Sequence, residues 1–226
     1  MLRAMGRTSW TWLLLGVCGP ALMFAVRAAA QAPVTTCPPP LPEGSPPTTS
    51  PLANPLSPAP EQIVACVGSQ SITGVTFSHW AVIAQKSEGS SKHRLSASEV
   101  MKQVMGFLIS SDWVIGEATD LNIHVSEGEV RHTFAHIRNQ QFPKKKEFKA
   151  FLKQSGQTVA DLLFRVRLNL ASTRIQQHVA EGHRGARGQQ HALSRFVHDF
   201  TTKWKAQTYC APAYAVTDCG HVHASL

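Results

Sequence analysis

The sequence is short of charge and, over most of its length, of proline. Asp, Glu, Lys and Arg supply only 16% of the 226 residues, below the quarter or so usual in a soluble domain. The hydrophobic share, 43%, is near the globular average, which excludes disorder along the whole chain. Eleven of the 14 prolines crowd between Pro33 and Pro60, so the foldable material is residues 61–220. That is enough for one core and excludes a large multidomain enzyme.

Motifs of catalysis and ligation are missing as well. There is no G-x-S-x-G, and Ser, His and Asp residues are scattered without a recognisable arrangement, so no catalytic residue and no cofactor is expected. No C-x-x-C pair suggests a metal. His132 and His136 are spaced i, i+4 with Glu129 nearby, but further ligands are lacking, and they read as exposed polar positions, as do His221 and His223. No Lys/Arg run is interleaved with aromatics, which argues against a nucleic-acid partner. The net charge is +8, yet Arg3, Arg7 and Arg27 lie in a stretch without acids, leaving nineteen basic against fourteen acidic residues beyond residue 30. The densest cluster, Lys144, Lys145, Lys146, Lys149 and Lys153, reads as the solvated face of a short amphipathic helix. The weaker alternative is a surface that attracts anionic lipid, cell-wall polymer or acidic client segments.

The N-terminus carries the parts of an export signal. Arg3 and Arg7 precede an uncharged run from Trp10 to Val26, and Ala28-Ala29-Ala30 follows. Residues 1–30 are read as a signal peptide cleaved after Ala30, or alternatively as an uncleaved anchor, the sole expected membrane contact. Lipidation at Cys18 is disfavoured by Val17, where a small residue is needed. Residues 31–60 lack aromatics, hold one charge, Glu43, and form a disordered Pro-rich linker. In polyproline II it would reach up to about 90 Å, as a stalk or as a spacer of unselected length.

Export makes the cysteines readable. Cys210 and Cys219 enclose a short loop with Pro212 and are expected to bridge. Cys66, in IVACV, is expected to be a small buried core residue rather than the partner of Cys37.

The folded part reads as all-α, a compact bundle of about six helices after a short extended start at 63–67 and 71–73. Thr73 can cap a helix over 74–86 with Phe77, Trp80, Val82 and Ile83 largely on one side. Ser96 with Glu99, and Ser126 with Glu129, form capping boxes for helices over 97–121 and to about 141. After Pro143 a short helix with Phe148, Phe151 and Leu152 ends at Gly156. Thr158 caps a helix over 159–181 that is apolar on two sides, so it must be sandwiched or await a partner. Residues 182–190 read as a flexible loop. Leu193, Phe196, Val197, Phe200 and Trp204 give a last amphipathic helix over 191–206, and residues 221–226 are a tail.

In order along the chain, VACVGSQSITGVTF, VMKQVMGFLISSDWVIGEATDLNIHVSEGEV, FPKKKEFKAFLKQSGQTVADLLFRVRLNLASTRI and FVHDFTTKWKAQTYCAPAYAVTDC resemble the N-terminal chaperone domain and C-terminal tail of SurA/PrsA-type parvulin foldases. In that family a prolyl isomerase domain is inserted before the C-terminal helix; here that interval is about Gly182 to Gln190, too short to hold one. The resemblance implies a chaperone module without its isomerase, extracytoplasmic, with the C-terminal helix packing back on the bundle. The partners it implies are unfolded or newly exported polypeptides. With the surplus apolar faces, it points to a client groove around Phe107, Trp113, Phe164 and Leu168. A divergent isomerase and a non-catalytic structural or adaptor envelope protein are the alternatives.

Overall fold

The computed structural model describes residues 37, 56–88 and 95–222. The expectations for the signal segment, its cleavage after Ala30, most of the Pro-rich linker and His223 lie outside the described residues. The extended start is a hairpin, β1 (Ile63–Val67) and β2 (Gln70–Thr73), turning at Gly68. Six helices follow among the described residues: α1 (Gly74–Glu88), α2 (Ala97–Asp120), α3 (Glu127–Gln141), α4 (Lys145–Ser155), α5 (Val159–Ala180) and α6 (Gly185–Ala206). The chain then returns to the hairpin. β3 (Thr208–Cys210) pairs antiparallel with β1, and β4 (His221–Val222) parallel with β3, giving a sheet of order β2-β1-β3-β4. The fold is mostly an all-α bundle, with the two C-terminal strands an addition to the expected extended start. Those strands are three and two residues long, too short to leave a period-two signal in the sequence.

The helix starts follow their capping chemistry. Ser96 and Glu99 make both halves of a capping box at α2, and Thr158 with Asp161 does the same at α5. At α3 only half of the expected box forms. The Ser126 hydroxyl accepts from the Glu129 amide, but the Glu129 carboxylate pairs with Arg174 of α5, because a cationic partner outbids a backbone amide. α4 ends at Gly156 with φ 71°, the left-handed conformation that terminates helices.

Three departures from the sequence reading have simple causes. α6 begins at Gly185 rather than 191, so the expected loop over 182–190 is mostly helix; Gly185 and Gly188 masked a run of good helix formers. Val82 and Val197 are exposed, standing off the apolar stripes to which they were assigned. Cys66 is not a free core thiol: it is joined to Cys37, with their Cα atoms 5.9 Å apart. Burial of Cys66 on β1 suited either reading, and sequence alone could not bring residue 37 back to the sheet. Closing a loop across that separation of 29 residues contributes about 3.6 kcal/mol in the chain-entropy account. Cys210 and Cys219 are also joined, across a separation of 9 residues.

The two-sided apolar character of α5 is explained by its surroundings, since it runs against α2, α3 and α6. Leu162 and Val166 pack with Val130, Phe134 and Phe148 from α3 and α4. Ala171 and Ile175 pack with Ala118 of α2, with Phe196 of α6 alongside. The largest cluster joins β1, α1 and α2 to Trp204, Cys210 and Tyr214 of the C-terminal segment.

Candidate functional site

α2 carries two different aromatic environments. Near its middle, Phe107 meets Trp80 of α1 and Phe164 of α5, with ring centroids 4.6 Å apart for Trp80–Phe107, 6.1 Å for Trp80–Phe164 and 6.4 Å for Phe107–Phe164. Trp80 is buried, whereas both phenylalanines are only half-buried. The Arg165 guanidinium lies 4.9 Å from the Trp80 ring centroid and 4.8 Å from that of Phe107. Stacking over two π faces stabilises the cation, yet its Nε is buried without a hydrogen-bond partner. Burial lowers the Arg165 pKa, and the neighbouring Asp161 opposes that shift.

Asp161 anchors this junction. One carboxylate oxygen, Oδ2, accepts from the Thr158 amide at 2.7 Å and the Thr158 hydroxyl at 2.8 Å, which starts α5. The other, Oδ1, accepts from His79 Nε2 of α1 at 2.8 Å. One carboxylate thus fixes the start of α5 against α1, one turn from Arg165. Leu168 stands one turn beyond Phe164, half-buried. The arrangement offers a partly exposed aromatic and aliphatic surface with one cation whose donor capacity is incompletely used.

Further along α2 the environment is closed. Trp113 is 5% exposed; its indole N–H donates to the Thr208 hydroxyl at 2.8 Å, and that hydroxyl donates to the Trp204 carbonyl at 2.7 Å. The Trp204 indole lies directly across Gly116, where an added Cβ would come within 2.0 Å of the ring. Its N–H donates to buried Glu117 at 2.7 Å, and Glu117 also accepts from Lys203 at 2.7 Å. Burial alone would lower the Lys203 pKa, but its hydrogen bonds to Asp120 and Glu117 outweigh that and raise it. These contacts lock the end of α6 and β3 onto α2.

The structure therefore brings Phe107 and Phe164 together, sets Leu168 beside Phe164 on the same helix, and places Trp113 in the lock with the C-terminal segment. Sequence reasoning missed Trp80, Arg165 and Asp161 as members of the junction. The Asp161–Arg165 spacing of i, i+4 on α5 was the available signal. His132 and His136 are exposed on α3.

No curated protein and no solved structure gives a significant match to the chain. Residues 54–176 match the profile of the SurA-like N-terminal domain. They take in the hairpin, α1 to α4 and most of α5, including every residue of the aromatic junction. Because that match covers more than half of the sequence, the chain belongs to the SurA-like N-terminal domain family.

Proposed function

We propose that this protein is an extracytoplasmic, non-catalytic chaperone that holds apolar segments of unfolded, newly exported polypeptides on the surface around Phe107, Phe164 and Leu168. The observation that carries the reading is the aromatic junction itself. Two half-buried phenylalanines from different helices sit beside a stacked arginine, with half-buried Leu168 one turn from Phe164, a partly exposed patch suited to an apolar side chain. Family membership supports a polypeptide client. The two disulfides support an oxidising compartment, as does the signal-like N-terminus.

The absence of isomerase activity belongs to the same proposal. α5 ends at Ala180 and α6 begins at Gly185, so four residues form the connection where the parvulin foldases carry their isomerase. The purified protein is expected to slow aggregation of a denatured exported protein at near-stoichiometric ratio, and to leave the rate of prolyl isomerisation in a test peptide at background. Unchanged aggregation would overturn the chaperone reading, and catalysis above background would overturn the non-catalytic one.

A further inference from the structure

α4 carries a charge pattern that its own folding does not ask for. Lys145, Lys149 and Lys153 recur every four residues, and Lys146 lies on the same side, so four exposed cations line one face over three turns. The helix has a single acid, Glu147, which is engaged by Lys144 at 3.5 Å. The adjoining face holds Phe148, Phe151 and Leu152, packed into the second core cluster. Lys86 of α1 adds another cation at the far end, its side chain lying against Gly156. Lys144, Lys145 and Lys146 also occupy the N-terminus of the helix, the positive end of its dipole, where acids are favoured and lysines destabilise. A sequence that breaks a local rule in this way marks a surface kept for something other than stability.

The Cys37–Cys66 bond adds a geometric constraint. However residues 38–55 run, the chain before Cys37 is attached to β1 at that cysteine. Eleven residues, 27–37, separate the uncharged run ending at Val26 from that attachment point, a span of about 35 Å at full extension. The linker therefore cannot hold the domain at the full length of a thirty-residue stalk.

We propose that the lysine face of α4 docks on an anionic phospholipid surface. Charge complementarity supplies the attraction, and the short tether keeps the helix within reach of a bilayer that holds the N-terminal segment. The inference rests on the reading of residues 1–30 as an uncleaved anchor, the alternative to cleavage after Ala30, and not on client binding, whose surface lies on α1, α2 and α5. Each lysine near such a surface is worth about a fivefold gain in partitioning at low salt, screened within about a Debye length.

The test is lysine footprinting of the full chain on vesicles, with acetylation read by mass spectrometry. On vesicles of phosphatidylglycerol and phosphatidylcholine, labelling of Lys145, Lys146, Lys149 and Lys153 is expected to fall at least about fivefold relative to pure phosphatidylcholine. The protection should disappear in about 0.5 M salt, and exposed Lys102 of α2 should label equally throughout. The K145Q/K146Q/K149Q/K153Q variant, altered only at exposed positions, should lose the extra binding to anionic vesicles. Equal labelling on both vesicle types would overturn the proposal. So would protection by polyglutamate but not by anionic vesicles, which would assign the face to acidic polypeptides. Retention on neutral vesicles reports the N-terminal segment separately, and the aggregation assay reports client binding, so failures of the three readings are distinguishable.

Discussion

The two aromatic regions of α2 use similar side chains to opposite ends. At Trp113 and Trp204 each indole N–H is satisfied, the packing leaves no space for one methyl at Gly116, and a buried carboxylate collects two donors. At Phe107 and Phe164 the rings are half-buried and the neighbouring Arg165 leaves its Nε unpaired. The rings at the junction keep part of their surface open to a ligand, whereas Trp113 and Trp204 are buried. The lock holds the C-terminal segment in place; the junction is the region with capacity to spare.

The largest losses are expected at the lock. Trp204→Ala removes a buried indole and leaves Glu117 with Lys203 alone, and is expected to cost about 3–5 kcal/mol of stability in denaturant unfolding. A loss below about 1 kcal/mol would show that α6 is peripheral to the fold. Gly116→Ala pushes a methyl into the Trp204 ring and should cost about 1–3 kcal/mol.

α2 also carries a group whose removal should stabilise the protein. Burial raises the Asp112 carboxyl to about 6. The folded state thus holds a proton that the unfolded state releases between roughly pH 4 and 6, and stability falls as pH rises through that window. Asp112→Asn should raise stability at pH 7.5 by about 1–2 kcal/mol and flatten that slope. An unchanged slope would place the carboxylate in water. The smallest effect is expected at the junction, where Leu168→Ser should cost only about 0.5–1 kcal/mol, as Leu168 is already partly exposed. A larger loss in thermal unfolding would make Leu168 core.

Local chemistry made the helices legible. Ser96 with Glu99, the Thr158 cap, Gly156, and the apolar spacing on α1, α2, α4 and α5 each act within a turn or two of their own position. The features that could not be read depend on distant partners. Glu129 leaves its capping box for Arg174, Cys66 bonds to Cys37, and Thr208–Cys210 becomes a strand only because β1 offers an edge. The grouping of Phe107, Trp113, Phe164 and Leu168 shows the same limit. Apolar excess on α2 and α5 was visible, but not which residues face the returning C-terminal segment.

The central claim is that the junction, and not the lock, holds the client. It is tested most directly by the affinity for a fluorescent unfolded segment of an exported protein, measured by anisotropy for Phe164→Ser/Leu168→Ser and for Trp113→Phe. The account predicts at least about tenfold weaker binding for the first variant, with cooperative unfolding retained, and a change within about twofold for the second. Unchanged affinity in the first variant, or an equal loss in both, would contradict it.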